Sequence, residues 1–287
     1  MINTQMEETL ADEHYQKAIH ILQNSSWLFG PSESEKVSRA IDYYIMAATK
    51  YSLIKNYDKA GKTFAEAALL YLDTKHGKYL AAVNYTKSAD NYLKVNKHQA
   101  KIYLEKSIKL YLDEGKFSTA AKNSEMLAEI YLEDKYFSDA AAAYECAHDY
   151  YEIDKSLNLA TSCLVKAAYI LIGNEDYDRS IINLEKSAAY YAKTTNDFRC
   201  RPLYFDISII KMFLGDIVEC KSILAKYQHS DSNEYKMLDA AINAMEIFDP
   251  TSFSQAITDY DSCQRLKPWQ SKLLLTVKDK ISEDDLT

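Results

Sequence analysis

The side chains best suited to metal ligation or nucleophilic chemistry in this chain of 287 residues are six histidines and five cysteines, and they are scattered. Only Cys146 and His148 approach a ligand-like spacing. Residues two apart on a helix point in diverging directions, because neighbours on one face are three or four positions apart, so a shared metal is not expected. Cys146, Cys163, Cys200, Cys220 and Cys263 form no CxxC pair and are odd in number, which predicts reduced, mostly buried thiols. No Gly-rich phosphate loop, HExxH pair or GxSxG elbow occurs. Acid pairs such as Asp284-Asp285 lie in a polar tail. The expectation is a protein that binds rather than catalyses, with no cofactor and no metal.

Two features carry binding chemistry. The formal charge of −8 is uneven: residues 51–100 hold eight Lys against four Asp or Glu, whereas residues 101–150 hold six basic against ten acidic residues. A locally basic surface on an acidic protein favours an acidic partner and lacks the dense basic face that nucleic acid requires. The second feature is Trp27-Leu28-Phe29, set inside the Ser-, Gly- and Pro-rich stretch 25–32. Loops run over the surface, and a short aromatic loop of this type suits the membrane interface; the alternative is a staple between the first two helices.

The elements that position these residues are helices. Only 6 Gly and 4 Pro occur, too few for a turn-rich sheet protein, and a template recurs with positions 0, +3, +7, +10 and +14. Its copies are Tyr57-Ala60-Phe64-Ala67-Tyr71, Tyr79-Ala82-Thr86-Ala89-Leu93, Phe117-Ala120-Ser124-Leu127-Tyr131, Phe137-Ala140-Tyr144-Ala147-Tyr151 and Tyr177-Ser180-Leu184-Ser187-Tyr191. Alternating steps of three and four put each set on one helical face, where aromatics fill space and Ala or Ser lets backbones approach. With intervening helices near 98–112 and 157–172, the unit is about 20 residues per helix and 40 per pair, the dimension of helix–turn–helix solenoids.

The pattern breaks at Lys55-Asn56, Glu114-Gly115, Asp134-Lys135 and Gly173–Asp176, where Gly or Asn is the expected helix C-terminal cap. Helices are also expected near 7–23 and 35–53, and, past the template, over 201–227, 232–247, 250–264 and 268–281, bounded by Pro202, the polar run 229–233, Pro250 and Pro268. The predicted fold is all-α: a tetratricopeptide-like, right-handed solenoid of helical hairpins over 1–200, followed by a C-terminal helical bundle with an acidic tail over 201–287. No stretch approaches the roughly 20 apolar residues of a membrane span, and the acidic N-terminus does not resemble a signal peptide, so a cytoplasmic location is expected.

The order of certain segments carries a resemblance. Residues 115–122 (GKFSTAAK), 128–131 (AEIY), 144–151 (YECAHDYY), 163–166 (CLVK), Tyr260-Asp261-Ser262 with Arg265, Leu266 and Trp269, and the ending Glu283–Thr287 together resemble the alpha-type soluble N-ethylmaleimide-sensitive factor attachment proteins over nearly the full length. That resemblance implies an adaptor that lies along the four-helix bundle of an assembled SNARE complex and presents its C-terminal end to the hexameric AAA ATPase that disassembles it. It implies SNARE contacts at Lys94, Lys116 (an arginine in the family's pattern), Lys122 and Lys166, and membrane contact at Trp27, Leu28 and Phe29 with peripheral attachment to membranes. It also implies ATPase contacts at Glu283, Asp284, Asp285 and Leu286. Two expected cations are missing, since Ser162 and Asn233 stand where the family carries Lys and Arg. Lower SNARE affinity, or SNAREs of a different charge pattern, would follow. A general tetratricopeptide-like scaffold for unrelated peptides is the alternative reading of the same array.

Overall fold

The computed structural model describes residues 2–23, 32–193, 197–226 and 231–284. Among them are fourteen helices and no strand: α1 (Ile2–Gln23), α2 (Glu33–Leu53), α3 (Tyr57–Leu72), α4 (Lys78–Tyr92), α5 (Lys97–Asp113), α6 (Phe117–Glu133), α7 (Phe137–Ile153), α8 (Leu157–Gly173), α9 (Tyr177–Lys193), α10 (Asp197–Leu214), α11 (Ile217–Leu224), α12 (Asn233–Glu246), α13 (Pro250–Cys263) and α14 (Pro268–Asp284). Two compact units divide at Ala160/Thr161, inside α8.

In the first unit each helix packs on its neighbours in sequence, α1 on α2 through α6 on α7. The template residues explain why. Ala60, Ala67, Ala82, Ala89, Ala120, Ala140 and Ala147, at the +3 and +10 positions, are all fully buried. Small side chains there allow close helix approach, and the tightest such point is Gly61 on α3, where a methyl group would sit 2.6 Å from the Tyr92 ring of α4. Ser88 Oγ of α4 donates to the Gly61 carbonyl at 2.7 Å. Position 0 behaves differently from the expectation of a core aromatic. Tyr57, Phe117 and Tyr177 are only half-buried, and Tyr79 and Phe137 are exposed, because this residue opens its helix at the edge of the array.

The period is set by the turns. Helices α5 through α9 are each 17 residues long and are joined by three-residue connections. At these turns the amide two residues past the last helical turn donates back to a carbonyl five residues upstream, as Lys116 N does to Tyr111 O at 2.8 Å, Tyr136 N to Tyr131 O at 2.8 Å and Asp176 N to Leu171 O at 2.9 Å. That closure needs a left-handed residue between the two helices. Gly115 supplies it at one turn (φ 66°), but Lys55, Lys135, Lys155 and Glu175 supply it at others, with φ between 61° and 65°. A left-handed non-glycine residue costs about 1–2 kcal/mol, so neighbouring packing holds these turns closed.

The second unit is built around α10. Ile207, Ile209, Ile210 and Met212 are at most 1% exposed, and α9, α11, α12 and α14 all contact this helix. A helix apolar on nearly every side is a core helix. The expected 201–227 helix is two helices, because Gly215 turns left-handed (φ 80°) and the Asp216 carboxylate caps α11 by accepting from Glu219 N at 3.1 Å. Pro202 lies inside α10 rather than at its border, in the second turn, where it removes one backbone bond near the helix start. Pro250 does open α13, behind the cap of Asp249.

The units also divide earlier than the expected 1–200 and 201–287. The template copy on α9 joins the second core: Ile181, Leu184, Ala188 and Tyr191 pack with Leu203, Phe205 and Ile210, together with Ala168 and Ile172 of α8. Periodicity continues through α9 while its apolar face turns to α10.

Candidate functional site

The lysines of the first unit fall into two classes by what surrounds the ammonium group. Lys59 is paired with Glu8 and Asp12 at 3.1 and 3.2 Å, Lys97 with Glu133 at 2.7 Å, Lys101 with Asp134 at 3.0 Å and Lys78 with Asp113 at 3.5 Å. These charges are already compensated: Lys59 ties α3 to α1, Lys78 ties α4 to the end of α5, and Lys97 and Lys101 tie α5 to the end of α6. Lys94 and Lys116 are instead held over aromatic rings and make no ion pair among the described residues. Lys94 Nζ lies 4.3 Å from the centroid of Tyr57, and Lys116 Nζ lies 6.0 Å from that of Tyr79. A ring face attracts a cation without cancelling its charge, and Asp90, one turn before Lys94, acts on it electrostatically without forming an ion pair, so both ammonium groups keep donors for an acidic partner.

Position along the layer follows from the helices. Lys116 precedes α6 as its N-cap residue and contributes no side-chain cap bond. Its ring partner Tyr79 lies in the first turn of α4, whereas Lys94 follows the C-terminal end of α4. Helices α4 and α6 are joined by Asn123 Nδ2, which donates to Thr86 Oγ1 at 2.8 Å and to the buried Ser107 Oγ at 2.7 Å. Lys122 stands on the exposed side of α6, one residue from that anchor. At about 1.5 Å of rise per residue, Lys116, Lys122 and Lys94 span roughly 20 Å along neighbouring helices, the length of several turns of a partner helix. Lys166 is exposed on α8 in the second unit, one turn after the exposed Ser162.

The C-terminal helix is fastened by a group that the sequence reading passed over. Asp206 of α10 is 1% exposed. Its carboxylate accepts from Gln270 Nε2 at 2.6 Å, from Tyr169 Oη at 2.6 Å and from Lys267 Nζ at 2.9 Å. Burial, followed by the Asp206 charge, pushes the Tyr169 phenol far above its ordinary range, which keeps it a donor. Lys267 and Gln270 lie just before and just inside α14, so one carboxylate ties α14 to α8 and α10. A lone acid within the apolar run Tyr204–Ile210 was the available signal. Further along, Lys280 Nζ donates to the Phe213 carbonyl at 3.0 Å. Glu283 and Asp284 end the α14 backbone; their side chains, Asp285 and Leu286 lie outside the described residues, as do Trp27, Leu28 and Phe29.

Cys146 is exposed, while His148 Nδ1 meets the Ala160 carbonyl at 3.1 Å and tethers α7 to the start of α8. Of the cysteines, Cys163, Cys200 and Cys220 are buried and Cys146 and Cys263 exposed. No described helix is long and apolar enough to cross a membrane.

Residues 9–282 match the family model described as soluble NSF attachment protein, SNAP. The chain belongs to this family. An alpha-soluble NSF attachment protein from Mus musculus is 30% identical over 266 residues, covering 91% of this chain and 89% of that protein. One from Vitis vinifera is 29% identical, covering 92% and 93%. A probable vesicular-fusion protein, a sec17 homolog from Schizosaccharomyces pombe, is 28% identical, covering 96% and 98%. The attachment-protein match thus runs through both units, from α1 to α14.

Proposed function

We infer that this chain is an adaptor in vesicle fusion and trafficking: it binds assembled SNARE complexes and recruits and stimulates the hexameric AAA ATPase that disassembles them. The match to NSF attachment proteins through both units carries this reading. In it, Lys94, Lys116, Lys122 and Lys166 face the acidic SNARE bundle. Each exposed ion pair contributes only about 0–1 kcal/mol, so the lysines act as a set and binding weakens with salt. Helix α14, anchored through Asp206, carries Glu283, Asp284, Asp285 and Leu286 to the ATPase, with charge speeding encounter and leucine providing a small apolar anchor. Trp27, Leu28 and Phe29 contact the membrane surface, which makes the protein cytoplasmic with peripheral membrane attachment. The chain itself catalyses nothing in this scheme.

The test is a capture experiment with immobilised, assembled SNARE complex. The chain is expected to bind at low salt, and the ATPase is expected to be retained only when the chain is present. Failure of the chain to bind, or retention of the ATPase without it, would overturn the proposal.

A further inference from the structure

Lys87, within α4, and Lys94, two residues past its last residue, are both held over rings of α3. Lys87 lies seven residues before Lys94, about 10 Å earlier along the α4 axis. Its Nζ is 5.6 Å from the centroid of Phe64. Phe64 in turn lies seven residues after Tyr57, the ring beneath Lys94. Lys87 of α4 and Lys94 just past its end therefore lie over two aromatics of the neighbouring α3, and the aromatics are template positions 0 and +7. Lys87 is exposed, and neither lysine makes an ion pair among the described residues, unlike Lys59, Lys78, Lys97 and Lys101, although the charge of Asp90, which stands between them in sequence, acts on Lys94 without a direct contact. Phe64 is 5% exposed and fixed by packing, while Tyr57 is half-buried at the helix start.

A long side chain loses rotamer freedom when it forms an ion pair, and this loss is a main reason why exposed pairs are weak. A ring face that already holds the ammonium removes part of that loss before the partner arrives, and leaves the charge uncancelled. We propose that Lys87 belongs with Lys94 to the surface that meets the acidic SNARE bundle, and that Phe64 and Tyr57 are positioning residues that hold these two ammonium groups out for it. The inference rests on the adaptor reading above. It adds a cation, and it gives the aromatic template a role beyond packing. Lys106 supplies an internal contrast. It is also ring-held, over Tyr85 and Tyr103, but Tyr85 is two residues from Lys87 and so points to another side of α4.

The experiment measures binding of the full-length chain to assembled SNARE complex across a salt series. Lys87→Glu is expected to weaken binding several-fold, like Lys94→Glu, with a shallower salt dependence, whereas Lys106→Glu leaves both unchanged. Tyr57→Leu is expected to lower affinity about two- to fivefold, the value of an exposed cation–π contact. Tyr57→Phe, which keeps the ring, should retain affinity. In a Lys94→Met background, Tyr57→Leu should have no further effect. An equal loss from Tyr57→Leu in both backgrounds would reduce the ring to packing, and unchanged binding in Lys87→Glu would remove Lys87 from the surface. Absence of binding by the unaltered chain would instead overturn the adaptor reading itself.

Discussion

The two units of this chain solve the same packing problem in different ways. In the first, cores are several and local: Ala11, Ala47, Tyr51 and Ala60 form one, Ala18, Ala40, Tyr44 and Ala67 another, Ala65, Ala68, Ala81 and Tyr85 a third, and a larger set from Ala82 to Ile130 fills the space among α4, α5 and α6. In the second, one contiguous core of Ile, Leu, Met and Phe surrounds α10 and takes in residues from Ala168 to Ile281. A linear array spreads its stability over neighbour interfaces and leaves a long face for a long partner. A centred core is more cooperative and suits a platform that must hold one terminal helix in place. The difference matches the proposed division of labour, with a helical bundle along the array and a motor at the end.

The largest expected effect probes the centred core. Leu238 is fully buried in it, and Leu238→Ala should cost about 2–5 kcal/mol. Hydrogen exchange should then rise across α9 to α14 together. If only α12 opened, the second unit would be as modular as the first. Next comes Asp206→Ala, which strands Gln270 and Tyr169 inside the core and should cost about 2–3 kcal/mol. Thermal melting measures the cost, and exchange should report it first in α14. An effect confined to α10 would detach Asp206 from the control of α14. In the array, Gly61→Ala forces a methyl group against Tyr92 and should cost about 1–3 kcal/mol, with exchange increased in α3 and α4 and little change in α10.

The gentlest perturbation is alkaline pH, which reaches both units. Burial pushes the Tyr92 phenol of the array from 10.0 up to about 12, and the Cys220 thiol of the centred core from 9.0 up to about 12. Because these folded-state values lie above the unfolded ones, the stabilisation from each group is complete below the unfolded value and is lost as pH rises through the window to about 12. Each such group lowers stability by at most about 1.4 kcal/mol per pH unit in its window. The difference in phenolate absorbance between the natural chain and Tyr92→Phe should therefore appear together with the loss of helical circular dichroism. A Tyr92 phenolate signal with the helices intact would place that ring nearer to solvent than this packing allows.

Helix type and spacing were legible because Ala and Ser at +3 and +10 cannot be placed elsewhere without loss of close approach; Ala60, Ala67, Ala140 and Ala147 are fully buried. The start of α13 was legible at Pro250, whereas Asn56, expected to close the preceding helix, instead caps the start of α3 by accepting from Lys59 N. The left-handed Lys55, Lys135, Lys155 and Glu175 were not, because a turn closed by packing on both sides can take a residue that its own backbone preference disfavours. The boundary at Ala160/Thr161 was hidden by the template itself, which continues through Leu184 and Tyr191. For the site, the positions of Lys94, Lys116, Lys122 and Lys166 came from family resemblance, since one exposed lysine in a row looks like any other. What the row omitted was the ring beneath the charge.

The most direct measurement follows disassembly of SNARE complex by the ATPase with three full-length chains: the natural sequence, one carrying Lys94→Glu and Lys122→Glu, and one carrying Leu286→Ala. The adaptor account predicts rapid disassembly with the first. With the second, it predicts loss of both SNARE binding and disassembly. With the third, SNARE binding should be retained while disassembly is lost. Disassembly by the Leu286→Ala chain at the natural rate, or full SNARE binding by the charge-reversed chain at low salt, would contradict it.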